Sequence, residues 1–541
     1  MEMDYVFMTR SYWLEMSIPK VEVQKKYTEY FGRDGSVILD RKDAIVYLSN
    51  ITGWIQSKLT DYMKSSNTCV LIKDLYKILD EAYHFYFRQK EARNELVKLN
   101  IQDGGITDTF EENRNKSRNV IDSVNLWLEN CLIFQENINE TYDPTSFELN
   151  QELFVEMYIY GLASQALSLI SMSQKFGEKE LYTGIEIHPN EDTPIEIIKY
   201  HPVIYYNTAL TGNQNVLNND TELAKADETD FGQGFKETYK VGFIDSLRIM
   251  STLQKELLRN GQYALTIINR EQFIGEINRY GVVDGEAFFE AFVLTKEKVL
   301  SQLKKNDPII WIMNSNKYRH EIRPFMCLDN DRIYISHCAM EQTKHLWCSI
   351  YLNGGMCYSN DKDPLTRAIE KRNEELSDRL VALLRGKLRA YYNATIDEID
   401  VRYDRIFGIK DIDYGDFDLV FYTKDTNELF LIEAKFFSDS LNNSGVISDY
   451  EKMFKENGYY EHCRRRYDLV MCEKDKMKSF LKVGSEVKAH FLFVSSKPLE
   501  IEFQDSDEIV TFPCLSIFDK YIDGKLLPET GDAPMRPVHI L

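Results

Sequence analysis

Asp416-Phe417-Asp418-Leu419-Val420-Phe421-Tyr422, then Thr423-Lys424-Asp425-Thr426-Asn427, then Leu429-Phe430-Leu431-Ile432-Glu433-Ala434-Lys435-Phe436-Phe437: this stretch decides how the last third of the chain folds. Two apolar runs flank a cluster of turn-forming polar residues, which predicts a β-hairpin with 423–427 as its connection. The second run is apolar almost throughout, as a strand buried on both faces would be. It nevertheless carries a carboxylate and an ammonium two positions apart. With a side-chain period of two, Glu433 and Lys435 share one face while Ala434 takes the other. Charges set into an apolar strand are costly unless they are paired or bind a metal. Asp418 on the first strand is the natural companion of Glu433. Asp416, on the same side but at the strand's start, is its rival.

The surrounding chain has 541 residues, 43% hydrophobic and 13% aromatic, enough for several globular domains. The longest apolar runs, such as 429–432 and 491–494, are far too short to cross a bilayer, so no membrane partner is expected. Met1-Glu2-Met3-Asp4 has neither a basic nor an apolar leader segment. Nine cysteines, scattered without a C-x-x-C pair, read as reduced thiols. The expected compartment is the cytoplasm. A formal charge of −21 and a pI near 5.0 argue against indiscriminate binding to polyanions. They leave room for a local basic groove. Lys452, Lys455, Arg464, Arg465 and Arg466 face only Glu456 and Glu461 in the same segment, a modest basic patch that a solvated helix face would also produce.

The predicted fold class is α+β and multidomain: a mostly helical N-terminal region, a mixed middle region and a C-terminal α/β domain. Residues 1–180 show three- and four-residue apolar spacing over 45–63, 71–99, 119–134 and 153–176. Residues 181–360 mix short strands over 186–206 with a polar loop at 211–233. Helices are expected at 243–259 and 285–304, a strand at 308–313, and a hairpin over 324–336 turning at Asp329-Asn330-Asp331. A glycine-bearing break at 354–364 opens residues 361–541. There the order is a helix (365–388), a strand (398–407), the hairpin, helices at 450–470 and 474–482, and a strand at 488–496.

Hydrolysing a phosphodiester needs a cation to offset phosphate charge and acidify a water. Mg²⁺ takes hard oxygen ligands at about 2.0–2.1 Å, usually one or two carboxylates with waters. Asp418 and Glu433 supply two such ligands, the Ala434 carbonyl lies between them, and Lys435 stands one pleat further to hold the attacking water or to meet developing negative charge.

Helix, strand, hairpin aspartate and Glu-x-Lys at the end of an apolar strand together resemble the PD-(D/E)xK nuclease superfamily, the restriction-endonuclease-like fold. The match spans residues 365–520. The resemblance implies a mixed sheet flanked by helices, Mg²⁺- or Mn²⁺-dependent endonuclease activity on nucleic acid (DNA ahead of RNA), and the trio Asp418, Glu433 and Lys435. It also implies a further glutamate on the preceding helix, with Glu375 the first candidate and Glu374 its rival. The Pro-Asp of the family name is replaced by Phe417-Asp418. Polar or basic groups are expected on the helix after Glu-x-Lys, from Tyr459, His462 and Arg465 or Arg466. Bacterial defence proteins resemble this layout, a large sensing region before a nuclease. That analogy implies an anti-phage effector restrained by a regulatory protein partner or by homo-oligomerisation. The competing class is a catalytically inactive nuclease-like scaffold or nucleic-acid-binding protein.

Glu486-Val487-Lys488 repeats Glu-x-Lys without a hairpin aspartate before it. No phosphate-binding glycine loop occurs, and Pro324 breaks a would-be H-E-x-x-H after His320-Glu321. Cys338, His345, Cys348 and Cys357 fit no common zinc spacing. Trp347, Tyr351 and Tyr358 read as core.

Overall fold

The computed structural model describes residues 20–32, 35–98, 104–134, 151–171, 175–176, 179–180, 182–191, 193–199, 204–205, 220–259, 265–301, 319–354, 363–437, 449, 452–455, 457–497, 503–504, 510–527 and 533–541. The strand expected at 308–313, the first part of the polar loop, Cys357 and Tyr358 lie outside them. The fold is α+β, with a helical N-terminal region and mixed sheets in the middle and C-terminal regions. Among the described residues no helix is long and apolar enough to cross a membrane, and the described cysteines are all free.

The N-terminal region contains helices α1 (Lys20–Phe31), α2 (Arg41–Ser65), α3 (Thr68–Lys98), α4 (Gly104–Ile133) and α5 (Gln151–Ser171). Asp40 starts α2 by accepting from the Asp43 N–H at 3.0 Å, which satisfies a donor the helix itself cannot. Helix α2 lies along α5, and α3 along α4. One strand inside this region, β1 (Val37–Asp40), pairs with β2 (Tyr182–Ile187), which pairs with β3 (Ile195–Lys199).

In the middle region α6 (Asp230–Tyr239), α7 (Phe243–Arg259), α8 (Arg270–Arg279) and α9 (Gly285–Phe292) surround a four-stranded sheet. Its strands are β4 (Leu265–Asn269), β5 (Val293–Leu294), β6 (Phe325–Leu328) and β7 (Arg332–Ser336), in the order β4-β7-β6-β5. The β6–β7 hairpin forms as expected, with Asp329 and Asn330 both at positive φ, 49° and 63°, as its tight turn requires. Helix α10 (His337–Asn353) follows, with Trp347 and Tyr351 buried in the core.

Two expectations need correction here. Residues 220–233 are not loop but helical turns whose polar side chains act as caps. The Thr229 hydroxyl accepts from the Gly232 N–H at 3.4 Å, and Asp227 accepts from the Phe243 N–H at 3.0 Å. The helix expected over 285–304 breaks after Phe292, because Val293 and Leu294 pair with Phe325 and Met326 and Thr295 caps a new turn at Lys296–Leu300.

The C-terminal region opens with α11 (Pro364–Tyr391), capped by Asp363 with Pro at its first position. Then come β8 (Ile396–Arg402), the short α12 (Tyr403–Phe407), β9 (Asp416–Thr423), β10 (Glu428–Lys435), α13 (Tyr459–Cys472), α14 (Lys474–Leu481) and β11 (Lys488–Ser495). Strands β12 (Phe503–Gln504) and β13 (Thr511–Phe512), helix α15 (Phe518–Ile522) and β14 (His539–Ile540) complete it. The order β8-β9-β10-β11-β13-β12 ends on the pair Ile204–Tyr205, and β14 adds to β11. The pairs β8–β9 and β9–β10 are antiparallel, and β10–β11 is parallel across the α13–α14 crossover. The strand expected at 398–407 stops at Arg402, where the chain turns into α12. The helix expected at 450–470 is interrupted by Asn457 at φ 57°, and α13 starts after Gly458.

Helix α11 is shared between two cores. Leu365 and Ile369 belong to the middle-region core, while Leu380, Leu384 and Leu388 pack under Leu419, Phe421, Phe430, Ile432 and Ala434 of the C-terminal sheet. Gly234 of α6 lets it approach closely: a Cβ there would sit 2.8 Å from the Pro364 carbonyl oxygen and 2.9 Å from the Ala368 Cβ. Gly234→Ala should therefore cost about 1–3 kcal/mol in urea unfolding. Gly53→Ala, in open space on α2, should stabilise by up to about 1 kcal/mol.

Candidate active site

The β9–β10 ladder runs from Thr423↔Glu428 to Leu419↔Ile432 and stops. One residue further, Asp418 Oδ2 accepts the Ala434 N–H at 2.6 Å, taking the place of a ladder partner. Side-chain alternation then does what the sequence requires. Ala434 turns to the leucine stripe of α11, and Asp418, Glu433 and Lys435 turn to the opposite face, which α13 covers. Lys435 Nζ lies 3.2 Å from Asp418 Oδ2 and 2.9 Å from Glu433 Oε1. Lys435 therefore touches both expected carboxylates. In a strand the N–H and C=O of one residue project to the same side, so the Ala434 carbonyl also faces the Asp418 edge.

The roof of the site comes from α13. Arg466 forms an ion pair with Glu433 Oε2, donates from Nε to the Tyr414 carbonyl at 2.8 Å, and lies 5.4 Å from the Tyr403 ring centroid. Its guanidinium runs so close to Gly415, at φ 77°, that a Cβ there would fall 2.6 Å from Nη2. Tyr459 presents its ring to Lys435 at 6.0 Å. The Tyr403 hydroxyl is buried and has no hydrogen-bond partner among the described residues.

Burial, reinforced by the nearby Glu433 charge, pushes the Asp418 carboxyl up to about 6. For Lys435 burial works to lower the ammonium, but Glu433 and Asp418 outweigh it and hold the group protonated. Burial, with Glu433 adding to it, likewise raises the Cys463 thiol of α13. The site is thus a compact set of two acids and two cations, with a lysine that stays charged across the physiological range.

Other expected residues lie elsewhere. Glu375 pairs with Arg372 Nη1 at 2.9 Å, and the exposed Glu374 acts on Lys371. Neither reaches the trio, because α11 packs on the Ala434 face of the sheet and the trio occupies the other. Arg466, expected in a surface patch for nucleic acid, is turned into the site. Arg464 reaches the Tyr460 hydroxyl at 3.5 Å, Arg465 pairs with Glu461 at 2.8 Å, and Lys452 lies 3.6 Å from Asp449. Lys452, Lys455 and Arg465 are exposed, and Lys452 Nζ lies 5.9 Å from the Phe437 ring centroid. Asp416 stands opposite Arg402 in the β8–β9 register and takes no part in the trio. Sequence reasoning named Arg466, as an alternative to Arg465, among the polar groups of this helix but did not choose between them. The available signal was its spacing: Tyr459, Cys463, Arg466 and Val470 recur at helical intervals, placing an arginine on an apolar face.

No family model, curated protein or solved structure matches this chain.

Two outcomes are expected. The folded-state carboxyl of Asp418 lies above its ordinary value, so ionising it opposes folding. Stability present below the ordinary carboxylate range should be lost as the pH rises through about 6. Asp418→Asn should remove that loss, as measured by urea unfolding across the window. Arg466→Ala strips Glu433 of one buried partner and should destabilise by about 3 kcal/mol, read in the same assay.

Proposed function

We propose that residues 361–541 form a divalent-cation-dependent nuclease of the PD-(D/E)xK, restriction-endonuclease-like kind, hydrolysing phosphodiester bonds of nucleic acid, DNA ahead of RNA. The observation that carries this reading is the meeting of Asp418 and Glu433, from adjacent strands, around the Lys435 ammonium. The donor set fits the cation. Two carboxylates and the edge carbonyl of Ala434 are all hard oxygens, the kind Mg²⁺ or Mn²⁺ takes. Held there, the cation neutralises phosphate charge and lowers the pKa of a bound water.

The chain's own groups account for the rest. Asp418 is fixed by the Ala434 N–H, so its second oxygen is left to face the substrate side. Lys435 remains an ammonium, which suits it to meet the negative charge that builds on phosphorus-bound oxygens and excludes it as the base. The exposed Lys452, Lys455 and Arg465 are the basic groups on offer for phosphate contacts. Arg466 competes for Glu433, so the site is restrained as it stands. This restraint and the acidic surplus support a regulated effector in the cytoplasm, released by a protein partner or by self-association. Anti-phage defence is the setting that the layout suggests.

The test is hydrolysis of DNA and RNA by purified full-length protein with Mg²⁺ or Mn²⁺. Cleavage is expected, and Lys435→Ala or Asp418→Ala should lower it at least about 10²-fold while leaving circular dichroism unchanged. Wild type and both variants being equally inert on every substrate would favour the inactive scaffold.

A further inference from the structure

Where the N-terminal helices meet the middle region, α3 packs against α10 with three ligand-type side chains between them. Asp80 and His84 sit one turn apart on α3, and Cys338 opens α10. The Cys338 thiol donates to Asp80 Oδ1 at 2.9 Å, and His84 Nε2 lies 3.6 Å from the same oxygen. One ligand atom from each residue falls within 4.8 Å of the others. We propose that Asp80, His84 and Cys338 bind one zinc-class transition-metal ion, which staples the N-terminal helices to the middle region.

The chemistry selects the metal. Thiolate, imidazole and carboxylate together suit Zn²⁺, whose tetrahedral bonds of about 2.0–2.3 Å set ligand atoms roughly 3.3–3.6 Å apart, reached here by small side-chain adjustments. A hard cation such as Mg²⁺ would not choose a sulfur donor. Three protein ligands leave a fourth position for solvent or for the neighbouring His337, whose ring feels the charges of both Asp80 and His84.

The surrounding shell is also in place. Glu341, one turn along α10 from His337, accepts from Lys344 at 2.7 Å and from Gln254 at 3.0 Å, and lies 3.4 Å from His345. His345 is held in turn by the Tyr83 hydroxyl at 2.8 Å and stacks on Phe87 at 4.8 Å. Such contacts fix the register of α10 against α3 and so orient the ligands. On binding, the Cys338 S–H bond breaks, its proton passes to the buffer and a sulfur–metal bond forms; no electron changes hands.

Full-length protein stripped with EDTA is titrated with Co²⁺ in excess Mg²⁺, which occupies oxygen-only sites. The expected result is a near-ultraviolet thiolate-to-cobalt charge-transfer band with strong visible bands of a tetrahedral centre. Both should saturate at one ion per chain and be abolished by Zn²⁺. Cys338→Ser should remove the charge-transfer band. His84→Gln changes a side chain that is 57% exposed, so it should leave folding intact while weakening Co²⁺ binding at least about tenfold. No charge-transfer band in the wild type, or undiminished affinity in His84→Gln, overturns the site.

Discussion

The hydrogen bond from the Ala434 N–H to Asp418 Oδ2 fixes everything else in the C-terminal region's chemistry. Past Leu419↔Ile432 the two strands no longer exchange backbone bonds, and a buried N–H left without an acceptor costs about 1–3 kcal/mol. A carboxylate is the strongest acceptor the chain can offer at that point. Backbone accounting thus holds the Asp418 side chain at the strand edge. Once it is there, the pleat alone brings Glu433 and Lys435 to the same face.

Charge balance follows from that placement. Two carboxylates in a mostly buried pocket would repel, and the fold answers with Lys435 from the same strand and Arg466 from α13. The net result is a neutral set whose members are each desolvated, so each is worth little alone and much as a group. Lys435 cannot leave, because it belongs to the strand that carries Glu433. Arg466 can, because it belongs to a helix that meets the sheet only through side chains. The site therefore has one cation fixed by its own strand and one carried on a separate helix.

Much of this was legible in the sequence, for physical reasons that differ from element to element. The hairpin was readable because its turn residues and its period-two alternation agree, and the trio came with it. The missing helix glutamate was not readable: apolar spacing at Leu376, Leu380 and Leu384 says which stripe of α11 is buried, but not against which face of the sheet. Residues 220–233 looked like loop because Asp227 and Thr229 are polar, yet they are polar as helix caps. Arg465 and Arg466 were not told apart because charge patterns carry no sign of what a helix face touches. The Asp80–Cys338 contact spans 258 positions, beyond the reach of any motif spacing.

The two sides of the candidate site are anchored by different parts of the molecule. Helix α11 is seated in the middle-region core through Leu365 and Ile369, and is tied there again by Arg372, which donates to the Tyr351 carbonyl at 3.2 Å and pairs with Glu222 at 2.9 Å. Its far end carries the leucine stripe beneath Ile432 and Ala434, so the sheet inherits its position from the middle region. Helix α13 sits on the other face, held by Tyr460, Cys463, Tyr467 and Val470. A small shift of α13 over the sheet would separate Arg466 from Glu433 without breaking one ladder bond. A shift of α11 would carry the trio with it intact. The Arg466–Glu433 pair is therefore decoupled from the trio's assembly: it depends on α13, while the trio depends on the sheet that α11 supports.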